Sequence, residues 1–434
     1  LSSTETSAAN VSSRPRRRLT IEEIAGIPVD ALARKYGTPL FVYDAATIRD
    51  RAASLQHFEV VRYAQKANSN LAILALLREC GMLVDAVSAG EILRAQAAGY
   101  GFEGEIPPVV YTADVFDRDA LELIARHNIH VNVGSPDMIA QLGAVNPGGS
   151  VTLRINPGFG HGHSRKTNTG GSQSKHGIWH EQIGECVRLA DRHSLTITGL
   201  HMHIGSGVDF DHLSQVAGAM LSAAATINRP LKSISAGGGI PTPYRDTDQT
   251  IDLQRYYEIW NEARVKLAEE FGHAVVLELE PGRYPVAESG YLISEIRAIK
   301  QMGENLFYLV DAGFNNLARP AMYGAWHPIS VCTSGSQAAG KLQPVIVGGP
   351  LCESGDIFTQ AEGGVVERRE LPAASVGDFL VIECAGAYGF TMSSNYNSKP
   401  LAAEVLVENG QDWLIRPRQS LESLFESEII PGTT

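Results

Sequence analysis

Lys66 ends the apolar, β-branched run Val60-Val61-Arg62-Tyr63-Ala64-Gln65-Lys66. An ammonium at the mouth of a buried strand is costly unless its charge is used or removed. The chemistry that suits such an amine is Schiff-base formation with a carbonyl. The plainer reading is a lysine that buries its stem and keeps its head in water, and this stretch alone favours it. Gly237-Gly238-Gly239 permits close approach of the backbone and offers free amides to an anion, with Ser206 and Gly207 as further donors. Three glycines can equally be a flexible turn. His201 and His203 are two apart and share a strand face. One reads as a satisfied core histidine and His203, nearer the strand end, as an aromatic that stacks on a flat ring; a metal pair lacks further ligands. Glu278 and Glu280 also alternate onto one face. They are either a solvent-facing pair or a carboxylate set beside a protonated ring nitrogen.

These residues need a scaffold that brings them together. Strand-like runs occur at 60–64, 83–87, 109–112, 130–133, 151–155, 196–204, 232–236 and 275–280, with helical segments between them. Strand alternating with helix means a parallel sheet. Eight strands over about 220 residues is the count and length of a (β/α)8, TIM-like barrel. An open doubly wound sheet is the runner-up, but no GxGxxG turn follows the first strand. Barrel active sites lie at the C-terminal strand ends. There the chain carries Lys66, Asp85, Ser88 and Glu91, Arg154 and Asn156, His201 to Gly207, the three glycines, and Glu280 to Arg283. A lysine, a phosphate grip after strand seven, a stacking ring and a carboxylate at one rim make a pyridoxal 5'-phosphate site.

After Pro281 the rhythm changes to strand-like runs with few helices, read as a mostly antiparallel β domain. The strand near Phe41 falls outside the barrel count and is expected to join that domain. The expected division is a basic tail at 1–19, an N-terminal segment at 20–45 joining the β domain, a barrel at 46–285 and the β domain at 286–434. Thr20-Ile21-Glu22-Glu23 reads as a capping box opening a short helix. The tail runs Arg14-Pro15-Arg16-Arg17-Arg18 with no apolar stretch after it, so no secretory signal is expected. Five scattered cysteines suggest neither a disulfide framework nor a zinc site, and a reducing cytoplasm is the expected compartment. A net charge of -12 argues against nucleic acid as a partner, and no apolar run spans a bilayer.

Three second-half stretches carry further candidates. Arg319 and Arg283 are possible carboxylate clamps. Cys352 lies in the polar loop Gly349-Pro350-Leu351-Cys352-Glu353-Ser354-Gly355-Asp356, which favours a reactive thiol over a packing one. The third stretch is Gly386-Ala387-Tyr388-Gly389.

Lys66, His203-Ile204-Gly205-Ser206-Gly207, Glu280-Pro281-Gly282-Arg283, Cys352-Glu353-Ser354-Gly355-Asp356 and Gly386-Ala387-Tyr388-Gly389 occur in one order. With Asn156 to Ser164 and Asn395-Tyr396-Asn397-Ser398-Lys399-Pro400, they resemble the diaminopimelate decarboxylase family, of the alanine-racemase-like fold type III of pyridoxal-phosphate enzymes. The resemblance implies decarboxylation of meso-diaminopimelate at its D centre to L-lysine and carbon dioxide. It implies Lys66 as the Schiff-base lysine, His203 stacked on the ring and Glu280 at its nitrogen. Asp85, Ser206, Gly237, Gly238, Gly239, Gly282 and Arg283 would hold the cofactor, with Tyr388 from a partner subunit. Arg283, Arg319 and Tyr323 would take the substrate's far carboxylate, Glu353 its far amine, and Arg154 and Tyr388 would also face substrate. Cys352, again from the partner, would be the proton donor, so active sites are expected to be shared across a homodimer. An ornithine or arginine decarboxylase, a racemase and an inactive binding relative are the alternatives; Arg319 with Glu353 speaks against the first.

Overall fold

The computed structural model describes residues 19–160, 170–203, 205, 209–333 and 340–432. The expectations for Ser206 and for the basic tail before Leu19 lie outside the described residues.

After a short hairpin and a helix, the chain lays down β1 (Leu40–Asp44) and then alternates strand and helix. The strands are β2 (Val60–Ala64), β3 (Leu83–Ala86), β4 (Val109–Ala113), β5 (His130–Val133), β6 (Ser150–Asn156), β7 (Thr196–His201), β8 (Ser233–Ser235) and β9 (Val276–Leu279). Each pairs in parallel with the next, and β9 returns to β2 through Glu278↔Val60 and Leu279↔Val61. The result is a closed eight-stranded barrel. Helices start where the sequence supplies a cap. Asn70, Ser88, Asp117, Ser135, Asp209 and Asp252 each accept a hydrogen bond from a first-turn amide of the helix that follows. The strands bury apolar side chains against that helical ring: Val84, Val109, Val131, Leu153 and Leu277 are almost wholly inaccessible.

The interior of the barrel is unusually polar. Near one end Arg62, 1% exposed, pairs with Glu278 at 2.6 Å. Toward the C-terminal strand ends lie Asp85, Thr112, Asn132, His201, Ser235 and Glu280, all buried. Such a column is stable only where its members satisfy one another or a ligand.

The second sheet is built on β10 (Gly290–Met302), which pairs antiparallel with β1, with β11 (Asn305–Val310) and with β15 (Phe379–Ile382). Between these come β12 (Ile329–Cys332), β13 (Leu342–Gly348) and β14 (Arg369–Pro372); β16 (Ala403–Glu408) and β17 (Gln411–Arg416) follow. Among the described strand pairs of this sheet, only β11–β13 and β1–β16 are parallel. The strand at residue 41 therefore joins the second sheet, as its place outside the barrel rhythm implied.

Three expectations fail locally. The pattern Thr20-Ile21-Glu22-Glu23 opens no helix. Ala25 and Gly26 both take positive φ and turn the chain into a hairpin of Glu23–Ile24 with Ile27–Pro28, and the helix starts at Val29. Burial of Ile24 at 2% exposure outweighs the weak local capping signal. The strand expected over 196–204 ends at His201, so His203 lies beyond the ladder rather than on a shared strand face. Strands β12 and β14 went unread.

Candidate active site

A cavity of about 910 Å³ opens at the C-terminal ends of the barrel strands. Lys66 is in the single turn Gln65–Ala67 immediately after β2, with its side chain exposed to that space. Asp85 and Thr112 come from β3 and β4, Arg154 from β6, and His201 from the end of β7. One rim thus converges on one volume, as barrel geometry dictates.

Glu280 is the electrostatic centre. Its carboxylate accepts from His201 Nε2 at 2.7 Å, Ser235 Oγ at 2.8 Å and Asn132 Nδ2 at 3.4 Å. Burial alone would raise its pKa, but His201 and the hydrogen bonds from His201 and Ser235 overcome that and hold it at about 2. Asp85 does the opposite. Burial, then the adjacent Glu280 charge, push it well above the usual carboxylate range. Its Oδ1 is buried with no hydrogen-bond partner among the described residues. Two carboxyl groups shifted in opposite directions thus face the same space.

The glycine run is a cradle that admits no side chain. Gly237 has φ +62°, and a Cβ there would lie 2.6 Å from His203 Cβ; a Cβ on Gly238 would lie 2.5 Å from the Glu280 carbonyl. The Gly238 amide donates to His203 Nδ1 at 3.2 Å. Burial, with the charges of Arg154 and Lys66, holds His203 well below the usual histidine pKa, so a neutral ring faces the cavity. These features fit pyridoxal phosphate: an amine, a flat neutral ring, a carboxylate held anionic, an orphaned buried carboxyl oxygen and a backbone loop open to close approach.

Two guanidinium groups also line the cavity. Arg319, 7% exposed, starts the short helix Arg319–Tyr323; Arg283 follows the Glu280-Pro281-Gly282 turn. No carboxylate among the described residues pairs with either. Arg283 Nη1 donates to Tyr244 Oη at 2.9 Å, and both guanidinium carbons lie over the Tyr244 ring, at 5.8 and 4.8 Å. Arg319 Nη1 lies 2.8 Å from His327 Nε2. Arg154, by contrast, has a loose acid partner in Asp114 at 3.9 Å.

The profile described as "Pyridoxal-dependent decarboxylase, pyridoxal binding domain" matches residues 45–287. The chain is 52% identical to the diaminopimelate decarboxylase of Streptomyces coelicolor over 99% of its own length and 97% of the relative's. It is equally 52% identical to that of Escherichia coli (strain K12), covering 95% and 97%. The chain belongs to the diaminopimelate decarboxylase family. Among solved structures, one diaminopimelate decarboxylase superimposes with TM-score 0.88 at 53% identity, covering 91% of this chain and 94% of that one. The enzyme from Helicobacter pylori complexed with L-lysine gives 0.80 at 31% identity, covering 91% and 98%.

Against this family background, the cavity gathers most of the expected set: Lys66, Asp85, Arg154, His203, Gly238, Gly239, Glu280, Gly282, Arg283, Arg319, Tyr323 and Tyr388. Gly237 sits behind His203 rather than in the lining. Tyr388 needs correcting. The chain's own Tyr388 lines this cavity, its amide donating to Ala67 O at 2.8 Å beside Lys66, so no partner is required to supply it. Cys352 and Glu353 are exposed and do not line it. Their loop is built on Asp356, whose buried carboxylate accepts the Phe314 and Leu351 amides at 2.7 and 2.8 Å. Cys352 N–H donates to Asn397 Oδ1 at 2.8 Å, and Tyr396 Oη donates to Glu353 at 3.3 Å.

Sequence reading missed Tyr244, His327, Asn132 and Ser235. Tyr244 closes the proline-rich run Ile240-Pro241-Thr242-Pro243 directly after the glycines, and that adjacency was the available signal. His327 lies eight residues after Arg319, and only the fold returns it to that side chain.

Proposed function

We propose that this protein removes one carboxylate from meso-2,6-diaminopimelate, at its D centre, giving L-lysine and carbon dioxide. The observation that carries the reading is the pair Arg283 and Arg319. Two guanidinium groups without an acid partner among the described residues share one cavity with a strand-end lysine, and they call for an anion away from the reacting centre. Diaminopimelate has a carboxylate there. Ornithine and arginine would bring a cation instead, and like charges set against each other cost several kcal/mol.

Pyridoxal phosphate, when bound, supplies the electron sink for the pair left as the carboxylate departs. Lys66 would carry it and Glu280 would stand at its ring nitrogen as a fixed negative charge, kept so by His201 and Ser235. His203 would lie against its face. Gly238, Gly239 and Gly282, with Asp85, Arg283 and Tyr388, would hold the rest. On the substrate side Arg283, Arg319 and Tyr323 would orient the far carboxylate, with Arg154 and Tyr388 nearby.

The proton donor and the contact to the far amine would come from the partner subunit's Cys352 and the partner subunit's Glu353, in a homodimer with shared sites. The exposure of both residues on a braced loop, away from the chain's own cavity, supports this. All five cysteines are free, which fits a reducing cytoplasm. Among the described residues no helix is long and apolar enough to cross a membrane.

The test is carbon dioxide release from meso-diaminopimelate, L-ornithine, L-arginine and L-lysine, with and without added pyridoxal phosphate. Release from ornithine or arginine at rates matching diaminopimelate would overturn the assignment.

A further inference from the structure

Arg283 and Arg319 raise a physical problem. Two cations held together in a partly dry site repel each other. The usual solution, an acidic neighbour, would consume the charge that a substrate carboxylate needs. The chain solves it with neutral groups. His327 is 2% exposed, and its Nδ1 lies 3.0 Å from the Glu383 carbonyl, which can only accept. Nδ1 therefore carries the proton, and Nε2 presents a lone pair to Arg319 Nη1 at 2.8 Å. Burial and the Arg319 charge hold the imidazole far below its usual pKa, so that acceptor persists across the working range. Tyr244 acts likewise, with its hydroxyl toward Arg283 and its ring face toward both guanidinium groups. The two are coupled, since the Tyr244 and His327 rings meet edge-on at 5.2 Å and 75°.

We propose that His327 and Tyr244 are the positioning residues of the carboxylate clamp: neutral acceptors that fix the aim of Arg319 and Arg283 while leaving their charge to the substrate. This rests on the far-carboxylate reading above. An Asp or Glu at either position would hold the arginines as firmly and cancel the attraction. Tyr244 comes from the barrel and His327 from the β domain, so the clamp spans the two.

The test uses the holoenzyme and two plain ligands, pimelate (the seven-carbon dicarboxylate) and cadaverine (1,5-diaminopentane), which keeps both amines and lacks the far carboxylate. In His327→Gln the amide oxygen reaches the Nε2 position and keeps an acceptor for Arg319. In His327→Asn the amide reaches only the Nδ1 position, keeping the contact to Glu383 and losing Arg319. By titration calorimetry, His327→Asn weakens pimelate about tenfold, the expected loss of a hydrogen bond to a charged group. His327→Gln stays within about threefold of the parent, and Tyr244→Phe weakens pimelate several-fold. Cadaverine affinity is unchanged in all three. KM for diaminopimelate follows pimelate while kcat moves little. Equal losses in the Asn and Gln variants, cadaverine weakening in step with pimelate, or no pimelate binding by the parent overturns the proposal. If His327→Asn does not fold, Tyr244→Phe decides, and unchanged pimelate affinity there overturns it. Failure of the parent to decarboxylate diaminopimelate, with the pimelate pattern intact, refutes the substrate reading alone.

Discussion

Replacing Arg319 by Met should hurt the reaction far more than the fold. Arg319 is a buried cation with Arg283 as its neighbour and no carboxylate partner among the described residues. Removing it loses the hydrogen bond to His327, about 1.5–3 kcal/mol, and the contact over Tyr244, about 1–2 kcal/mol. Against this, the cation's desolvation penalty of several kcal/mol disappears, and so does the repulsion from Arg283. The two sides nearly cancel, so Arg319→Met should melt within a few degrees of the parent, or above it. Arg62 is the control. It is equally buried but paired with Glu278 at 2.6 Å. Arg62→Met strands a partly buried carboxylate at a cost of up to about 3–5 kcal/mol and should melt several degrees lower. Activity should rank the other way for Arg319. Removing one partner of a desolvated carboxylate contact costs about 2–5 kcal/mol, a rise in KM for diaminopimelate from about thirtyfold to beyond a thousandfold. Scanning fluorimetry on both variants and lysine formation at varied diaminopimelate measure this. Arg319→Met melting as low as Arg62→Met would show that Arg319 is a structural charge and refute the reasoning, as would an unchanged KM.

Other expectations follow from the same geometry. Lys66→Ala should lose decarboxylation and the visible absorbance of bound cofactor together; a retained band would count against its role. Mixed Lys66→Ala and Cys352→Ala proteins, each inactive, should regain activity on subunit exchange, and no recovery after proven exchange would refute the shared site. Glu280, held at about 2 against an ordinary 4.5, stabilises the fold by about 3 kcal/mol above pH 4.5 and loses this as pH falls toward 2. Glu280→Gln should lack that part of acid destabilisation in pH-dependent urea melts. Asp85 runs the other way: raised above 3.8, it favours the folded state most at low pH and loses this as pH rises, so Asp85→Asn should flatten the opposite slope.

What the sequence disclosed was whatever is periodic or sits at a strand end. The eight-strand rhythm put Lys66, the glycines and Glu280 at one rim, because parallel strands with short turns leave little choice of register. The single strand Leu40–Asp44 could be assigned by elimination. What stayed hidden depended on long-range return. Tyr388 is more than 300 residues from Lys66, yet its amide reaches Ala67 O, so its subunit of origin was not readable. The capping pattern at Thr20 misled because four residues carry less free energy than burying Ile24. His201 was half legible: its burial was foreseen, its contact with Glu280 was not.

The contacts around Lys66 suggest why one chain carries both domains. Asn68 Nδ2 donates to Gly386 O at 3.2 Å, Tyr388 N–H to Ala67 O at 2.8 Å, and Asn70 Nδ2 to Glu404 at 2.9 Å. Glu404 is fully buried and also takes Tyr43 Oη at 2.7 Å and the Arg416 guanidinium. The segment just after the lysine is therefore held by the β domain from three directions, while the lysine's own strand belongs to the barrel. The clamp has the same construction, with Arg283 and Tyr244 from one domain and Arg319 and His327 from the other. A loop that must place an amine against a ring, with a cation pair at a fixed distance from it, gains accuracy when both are pinned by the same sheet. On this reading, a slip between the domains changes the distance from reacting centre to clamp and acts on substrate choice before it acts on cofactor retention.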